Sequence, residues 1–161
     1  MKLRFLVAFI CFSVFCAGCG GNPINAKTST NYAQAAHAAV NSGDGVTARK
    51  NWSKALLNAQ LGGASPAQLA VLNNEYGRAS GVVCEFADAE KALTTAYDLD
   101  KRAGGPTYLS LVELARLNLD QNKFPEAATY FERALPELEA KGASAGAPIG
   151  WQTFLMSTLL L

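Results

Sequence analysis

The sequence has few of the residues from which catalytic and metal sites are built. One of its 161 residues is a histidine and four are cysteines. It contains no G-x-S-x-G, no H-E-x-x-H and no glycine-rich phosphate loop. His37 has no partner at metal-ligand spacing, so we expect a solvated helix residue. We therefore predict a protein that is not an enzyme and holds no cofactor or metal.

The chain also has almost no excess of charge of either sign. The chain has 14 Lys and Arg against 13 Asp and Glu, a formal net charge of +1. No basic stripe follows from this balance, which argues against binding of nucleic acid. Neighbouring carboxylates, such as Glu85 with Asp88 and Glu137 with Glu139, share helix faces with cations. That arrangement is typical of a solvated surface and not of an acid/base pair.

A hydrophobic run long enough to span a bilayer is missing from the N-terminal segment. The apolar run at residues 5–15 falls short of the roughly 20 residues that a spanning helix needs. Lys2 and Arg4 precede it, and two small residues follow it just before Cys19. A charged start, a short apolar core and small residues are typical of an export signal. The segment resembles a bacterial lipoprotein signal peptide, which implies cleavage after residue 18 and a diacylglyceryl group on the Cys19 thiol.

The same resemblance implies a location and a membrane partner. The lipid on Cys19 would anchor the protein, and Gly20 stands where an Asp would favour retention at the inner membrane. We therefore expect the outer membrane, with the protein facing the periplasm. Residues 19–30 contain glycines, a proline and no apolar periodicity, which predicts a lipidated cysteine followed by a flexible tether. Cys84 is then the only free thiol, and we favour its burial, although its position in a turn leaves exposure open.

Residues 31–161 contain almost no strand signal and predict an all-α domain. Alanine and leucine dominate, and short turn sequences divide the chain into segments of helical length. Breaks are predicted at residues 41–45, 61–63, 104–106, 121–123 and 142–148. Capping chemistry is predicted at Ser65–Gln68, with helix ends at Gly104 and Gly142. Pro136 predicts a kink or a helix end near Ala134.

Aligned small and aromatic residues indicate a repeat. Its first-helix positions are Tyr32, Ala35, Ala36, Ala39; Asn73, Tyr76, Gly77, Ser80; Leu111, Leu114, Ala115, Asn118; and Trp151, Phe154, Leu155, Thr158. Its second-helix positions are Ala48, Trp52, Ala55; Ala89, Leu93, Ala96; and Ala127, Phe131, Ala134. This resembles the tetratricopeptide pattern, W-x2-L-G-x2-Y followed by A-x3-F-x2-A. The resemblance implies a solenoid of about three helix-turn-helix repeats, near residues 29–62, 70–103 and 108–141, closed by a capping helix at 148–161.

The repeat also predicts how the helices pack. Ala36, Gly77 and Ala115 each precede the small residue of the following helix by 12 positions, and we expect close helix contacts there. The large residues Trp52, Leu93 and Phe131 should wedge between neighbouring helices. The units recur at distances of 41, 38 and 40 residues, longer than the 34 typical of the family, so each carries an extra helical turn or a longer loop.

The tetratricopeptide resemblance implies a concave groove that binds extended or helical peptides. In this register its exposed face contains Ala33, His37 and Val40 in the first unit, Asn74 and Arg78 in the second, and Val112, Arg116 and Leu119 in the third. Two arginines on successive first helices suit a carboxylate or an acidic peptide. The alternative is that Arg78 and Arg116 form ion pairs with their neighbours Glu75 and Glu113.

The favoured function is a non-enzymatic adaptor or assembly factor that binds a protein or peptide of an envelope complex. A narrower form of it is a pilotin-like factor for pilus or secretion biogenesis. From another class, a structural lipoprotein would self-associate through the uncharged residues 142–161. The same segment also fits a buried cap on the third repeat.

Overall fold

A computed structural model describes residues 21–145, which form six helices. Their bounds are α1 (Pro23–Asn41), α2 (Gly45–Leu61), α3 (Pro66–Val82), α4 (Phe86–Ala103), α5 (Tyr108–Asp120) and α6 (Phe124–Ala145). Within this range no residue lies in a strand, which confirms the all-α prediction. No helix in the described range is long and apolar enough to cross a membrane. The predicted signal peptide (1–18), Cys19 and the capping segment (148–161) lie outside the described residues.

The helices are arranged as three successive hairpins. The closest packing joins α1 to α2, α3 to α4 and α5 to α6, and turns of only three or four residues separate consecutive helices. The hairpins follow one another through α2 against α3 and α4 against α5, and α3 also touches α5. Because the turns are short, the extra length of each unit lies in its helices: α1 to α4 have 17 to 19 residues each.

Local capping signals set several helix ends. The Ser65 hydroxyl accepts a hydrogen bond from the Gln68 backbone N–H, and the Gln68 side chain accepts one from the Ser65 N–H, which confirms the predicted capping box. Gly104 ends α4 with a φ of +68°, in the left-handed region that favours glycine. Asp44 caps α2 by accepting from the Thr47 N–H, which lowers the pKa of its carboxyl.

The prediction of a flexible tether over residues 19–30 is wrong from Pro23 onward. Helix α1 begins at Pro23, and the Asn22 side chain caps it by accepting from the Ile24 N–H. Asn followed by Pro is a strong helix start, because the amide side chain satisfies a free N–H and proline lacks one in the first turn. Packing reinforces it, since the buried Ser29 hydroxyl donates to the Ala55 carbonyl of α2.

Helix α6 does not end where the sequence predicted. It continues through Pro136 and Gly142 to Ala145. Proline removes the hydrogen bond to the carbonyl four residues earlier, that of Glu132, and this residue is exposed, so that water can satisfy it. Ala134, two residues before the proline, is completely buried, and Glu137, directly after it, accepts hydrogen bonds from the Thr107 hydroxyl and the Tyr108 N–H. Tertiary contacts on both sides of the proline therefore stabilise the helix despite the missing bond.

The predicted close contacts are present in the core. Ala36 and Ala115 are fully buried, and Gly77 is buried as well. A Cβ at Gly77 would lie 2.7 Å from the Leu93 Cγ, which shows that α3 and α4 approach as closely as glycine permits. One core cluster joins Ala36, Trp52, Ala55 and Ala79, and the other joins Ala89, Leu93, Leu114 and Leu117. Each cluster spans two hairpins and holds them together.

Candidate interaction face on helices α3 and α5

One side of α3 and the adjacent side of α5 carry the residues that the sequence assigned to a groove. We call this surface the α3–α5 face. It consists of Val71, Asn74, Glu75, Arg78 and Val82 of α3, and of Leu109, Val112, Glu113, Arg116, Leu119 and Asp120 of α5. These positions recur at intervals of three or four residues, so each set lies along one side of its helix. Val112 and Leu119 are half-buried, whereas Val71 and Val82 are about 60 % exposed.

Arg78 is held in an ion pair within its own helix. Its Nη2 lies 2.6 Å from the Glu75 Oε2, and 41 % of the Arg78 side chain is exposed. The structure therefore confirms the alternative weighed for this residue, pairing with its neighbour. A pair between partly exposed side chains three residues apart contributes roughly a few tenths of a kcal/mol.

Arg116 lies at the centre of a larger charge cluster. Its Nε donates to Glu113 at 2.8 Å and its Nη1 to Asp120 at 2.9 Å. Its Nη2 is buried without a hydrogen-bond partner. This nitrogen lies 3.4 Å from where a Cβ at Gly81 would stand, so Arg116 extends from α5 across the backbone of α3. Arg116 thus contributes both charge and packing to the face.

Asn74 connects the two helices of the face. Its Nδ2 donates to the Ser110 hydroxyl at 3.1 Å, and Ser110 is completely buried. The Asn74 amide nitrogen therefore holds α3 and α5 in register.

The first hairpin contributes an aromatic contact beside the face. The rings of His37 and Trp52 are 4.8 Å apart in an edge-on arrangement. His37 itself is exposed, as predicted for a solvated helix residue, and Val40 on the same side of α1 is 43 % exposed. Ala33 is half-buried.

Cys84 is exposed, which corrects the preference for burial. It occupies the turn between α3 and α4 with a φ of +63°. A residue in this left-handed conformation lies at the tip of a tight turn, where its side chain has no neighbouring helix to pack against.

The α3–α5 face carries charges of both signs. Its two arginines are outnumbered by Glu75, Glu113 and Asp120, so the face as a whole is not basic. Within residues 21–145 no three His, Cys, Asp or Glu side chains are grouped closely enough to hold a metal ion. The sequence pattern missed the contacts of Arg116 with Asp120 and Gly81. The first follows from an i, i+4 spacing, whereas the second joins two helices and has no local signal.

Comparisons with known proteins identify no relative. No protein-family model, no curated protein and no solved structure matches the chain.

Proposed function

We propose that this chain is a lipid-anchored adaptor of a bacterial envelope, with tetratricopeptide-like repeats that bind a segment of another protein. The observation that carries the proposal is the α3–α5 face, where two weak charge clusters lie between exposed apolar side chains on adjacent helices. The binding of a peptide requires such a mixture of apolar contact and exchangeable polar groups.

The packing register supports the repeat part of this proposal. Ala48, Ala89 and Ala127 occupy the same position of the second helix in the three hairpins, and each is at most 1 % exposed. Small residues at equivalent sites let successive helices approach equally closely. Repeats of this kind stack into arrays whose first helices present a continuous binding surface.

The charge clusters favour a partner segment that carries both a carboxylate and a cation. Arg78 forms an ion pair with Glu75. A carboxylate of the partner segment would take the place of Glu75 beside Arg78, and a lysine or arginine of the segment would then pair with Glu75. Because a solvated ion pair contributes at most about 1 kcal/mol to stability, breaking the pair between Arg78 and Glu75 costs little free energy. Val71 and Val82 at the two ends of the α3 side would supply apolar contact.

A photo-crosslinking experiment in native membranes tests the adaptor proposal. A photoreactive amino acid at Val71 samples the face, and the same amino acid at Thr94, an exposed residue of α4, is the matched control. A protein crosslinked from position 71 but not from 94 is the expected result. Its loss on combining Arg78→Glu with Glu75→Lys, which keeps an ion pair within α3, would assign it to the charge pattern.

Equal crosslinking from positions 71 and 94, or self-crosslinks alone, would overturn the adaptor proposal. If the crosslinked protein is a component of a pilus or of a secretion system, the adaptor proposal becomes the narrower one of a pilotin-like factor.

The lipid anchor is proposed from the N-terminal sequence and has a separate test. Cys19→Ser should leave an uncleaved precursor without a diacylglyceryl group, detected by the mass of the protein extracted from membranes. Lys2→Gln keeps the cysteine and serves as the control. Normal cleavage of the Cys19→Ser chain would contradict this part of the proposal.

A second candidate, self-association, is favoured by a specific observation on α6. Phe131 occupies the position that Trp52 and Leu93 hold in the earlier hairpins, yet it is half-buried where those two are at most 2 % exposed. Phe124, seven residues or about two helical turns before Phe131 in α6, is 48 % exposed. The last hairpin therefore leaves apolar surface where a further element or a second copy would pack.

Truncation of residues 148–161 distinguishes a cap formed by these residues from a contact between two copies of the chain. If these residues cap the third hairpin, the truncated protein should lose thermal stability at every concentration. If they join two copies, sedimentation should show oligomers of the full chain that are absent after truncation. Phe124→Glu should weaken those oligomers without unfolding the monomer, whereas Val46→Glu, at a more exposed apolar residue of α2, is the control and should leave them intact.

A further inference from the structure

The start of α1 lies against the turn between α2 and α3. A Cβ placed on Gly63 would stand 2.7 Å from the Gly21 Cα, and one on Gly62 would stand 2.8 Å from the Ala26 backbone nitrogen. The three glycines let the two pieces of backbone touch. Gly21 is therefore fixed at one end of the first hairpin.

This contact limits where an anchor on Cys19 can be. Cys19 is two Cα–Cα steps before Gly21 along the chain, and consecutive Cα atoms are about 3.8 Å apart, so the two Cα atoms are at most about 7.6 Å apart. The lipid would thus leave the protein beside the turn at residues 62–65. An anchor on a long flexible tether would impose no such orientation.

The same end of the hairpin exposes large apolar side chains. Ile24 in the first turn of α1 is 72 % exposed, and Leu57 and Leu61, one turn apart at the end of α2, are 55 % and 58 % exposed. We call these three residues the apolar end. Exposure of these side chains to water is unfavourable, whereas their transfer into the acyl region of a bilayer is favourable.

The first part of the described chain carries mostly positive charge. Residues 21–74 carry four Lys or Arg and a single acid, Asp44, whereas residues 75–145 carry eight cations and twelve acids. Asp44 belongs to the turn between α1 and α2, at the opposite end of the hairpin. Lys27 is exposed in the second turn of α1, and the Lys54 ammonium lies 5.0 Å from the centre of the Tyr32 ring. Within the first hairpin, therefore, no carboxylate lies at the apolar end.

We propose that the apolar end lies on the bilayer, with Ile24, Leu57 and Leu61 at the acyl boundary and Lys27 at the headgroups of anionic phospholipids. This inference rests on the proposed lipid anchor at Cys19, which brings the surface to the membrane. Apolar side chains beside cations form the pattern by which proteins lie on anionic interfaces. The contact would fix the orientation of the first hairpin relative to the membrane.

The test measures the surroundings of single labelled positions in the lipidated full-length chain. With Cys84→Ser removing the free thiol, a polarity-sensitive fluorophore is attached at Leu61→Cys or at Val46→Cys. Val46 is 71 % exposed on the same helix and lies about 22 Å from Leu61, given a rise of 1.5 Å per residue. The protein is reconstituted in vesicles of phosphatidylethanolamine with phosphatidylglycerol.

We expect the label at position 61, but not at 46, to shift to shorter emission wavelength and to be quenched by lipids carrying a bromine or spin label in their acyl chains. Lys27→Glu should reduce the quenching at position 61, and so should replacing phosphatidylglycerol by phosphatidylcholine. Equal emission at 61 and 46 would overturn the proposal.

Failure of the anchor itself gives a different result. A chain without a lipid has the mass of an unmodified Cys19 and separates from the vesicles during flotation, whereas an anchored chain that floats without quenching at position 61 contradicts only the membrane contact.

Discussion

Three residues at equivalent turns of the hairpins have positive φ. Gly43 has a φ of +77°, Cys84 of +63° and Asn122 of +58°. Their spacings of 41 and 38 match those of the repeat. The turn demands a left-handed residue each time, and the sequence supplies glycine, the one residue without a steric penalty, in the first hairpin only.

Replacing Cys84 by glycine should therefore stabilise the protein. A left-handed conformation costs a residue with a Cβ about 1–2 kcal/mol, part of which is offset by the greater freedom of glycine in the unfolded chain. We expect Cys84→Gly to raise the free energy of unfolding by about 1 kcal/mol in urea titrations under reducing conditions. Cys84→Ala, which removes the thiol but retains the strain, should give no such gain. A gain as large for alanine would contradict the explanation.

A buried carboxylate in the second hairpin predicts a pH dependence. Asp100 is 8 % exposed, and burial, followed by the nearby Glu137 charge, raises the pKa of its carboxyl. The folded state therefore binds this proton more tightly than the unfolded state. The charged Asp100 carboxylate therefore destabilises the folded state. This effect is absent below the pKa of Asp100 in the unfolded state, grows as the pH rises through its pKa in the folded state and is fully present above that pKa.

Asp100→Asn should remove that effect. The variant should melt at a higher temperature than the parent at pH 7, and the difference should vanish when both are measured below the unfolded pKa of Asp100. Asp98→Asn, an exposed neighbour on the same helix, is the control and should leave the melting temperature nearly unchanged. A constant difference across the pH range would assign the gain to packing and not to titration.

At the scale of helices, the small residues decide how closely each pair packs. Gly77 is the clearest case, because it faces the fully buried Leu93 at a distance that leaves no room for a methyl group. Glycine inside a helix costs about 1 kcal/mol relative to alanine, so its presence here is explained by contact between helices and not by propensity.

Gly77→Ala should reduce the free energy of unfolding by about 1–3 kcal/mol through overpacking against Leu93. In a Leu93→Ala background the same substitution should cost much less, because alanine favours the helix and only the close approach to the Ala89 carbonyl oxygen, at 3.1 Å, remains. Urea titrations of the four proteins give the coupling directly. If the two substitutions change the free energy of unfolding additively, the packing of α3 on α4 does not depend on the contact between Gly77 and Leu93.

At the scale of the whole molecule, the described residues 21–145 form hairpins that pack mainly on their neighbours in the chain. Within this range α3 and α4 are held between the first and third hairpins, whereas α1 packs chiefly on α2 and α6 chiefly on α5. Stability in such arrays is approximately the sum of repeat and interface terms, and the ends open more easily than the middle.

Hydrogen exchange should show this gradient. We expect backbone amides of α3 and α4 to be the most protected and those of α1 and the end of α6 to exchange first. Gly77→Ala should lower the protection of α3 and α4 more than that of α5. Uniform protection, lost in one step along the whole chain, would mean that the three hairpins unfold as a single cooperative unit.

The sequence predicted the parts of this fold that have a local cause. The capping box at Ser65, the left-handed Gly104 and the small residues of the close contacts all have chemical signals within one or two helical turns. Three predictions failed, each for its own reason. Residues 23–30 are helical where a tether was expected, because Asn22 and Pro23 start a helix that packs on α2, and Cys84 is exposed because it lies in a tight turn. No helix end occurs at Pro136 or Gly142, because the buried side of α6 outweighs these local signals.

For the candidate site, the sequence identified the arginines but not their partners. The spacing of Arg78 from Glu75 and of Arg116 from Glu113 determines which ion pairs the helices permit. The pairing of Asn74 with Ser110 and the path of Arg116 over Gly81 depend on how α3 lies against α5. Only the tertiary structure decides such contacts, because they join residues about 35 positions apart through the relative placement of two helices, whereas helix formation and capping depend on neighbours along the chain.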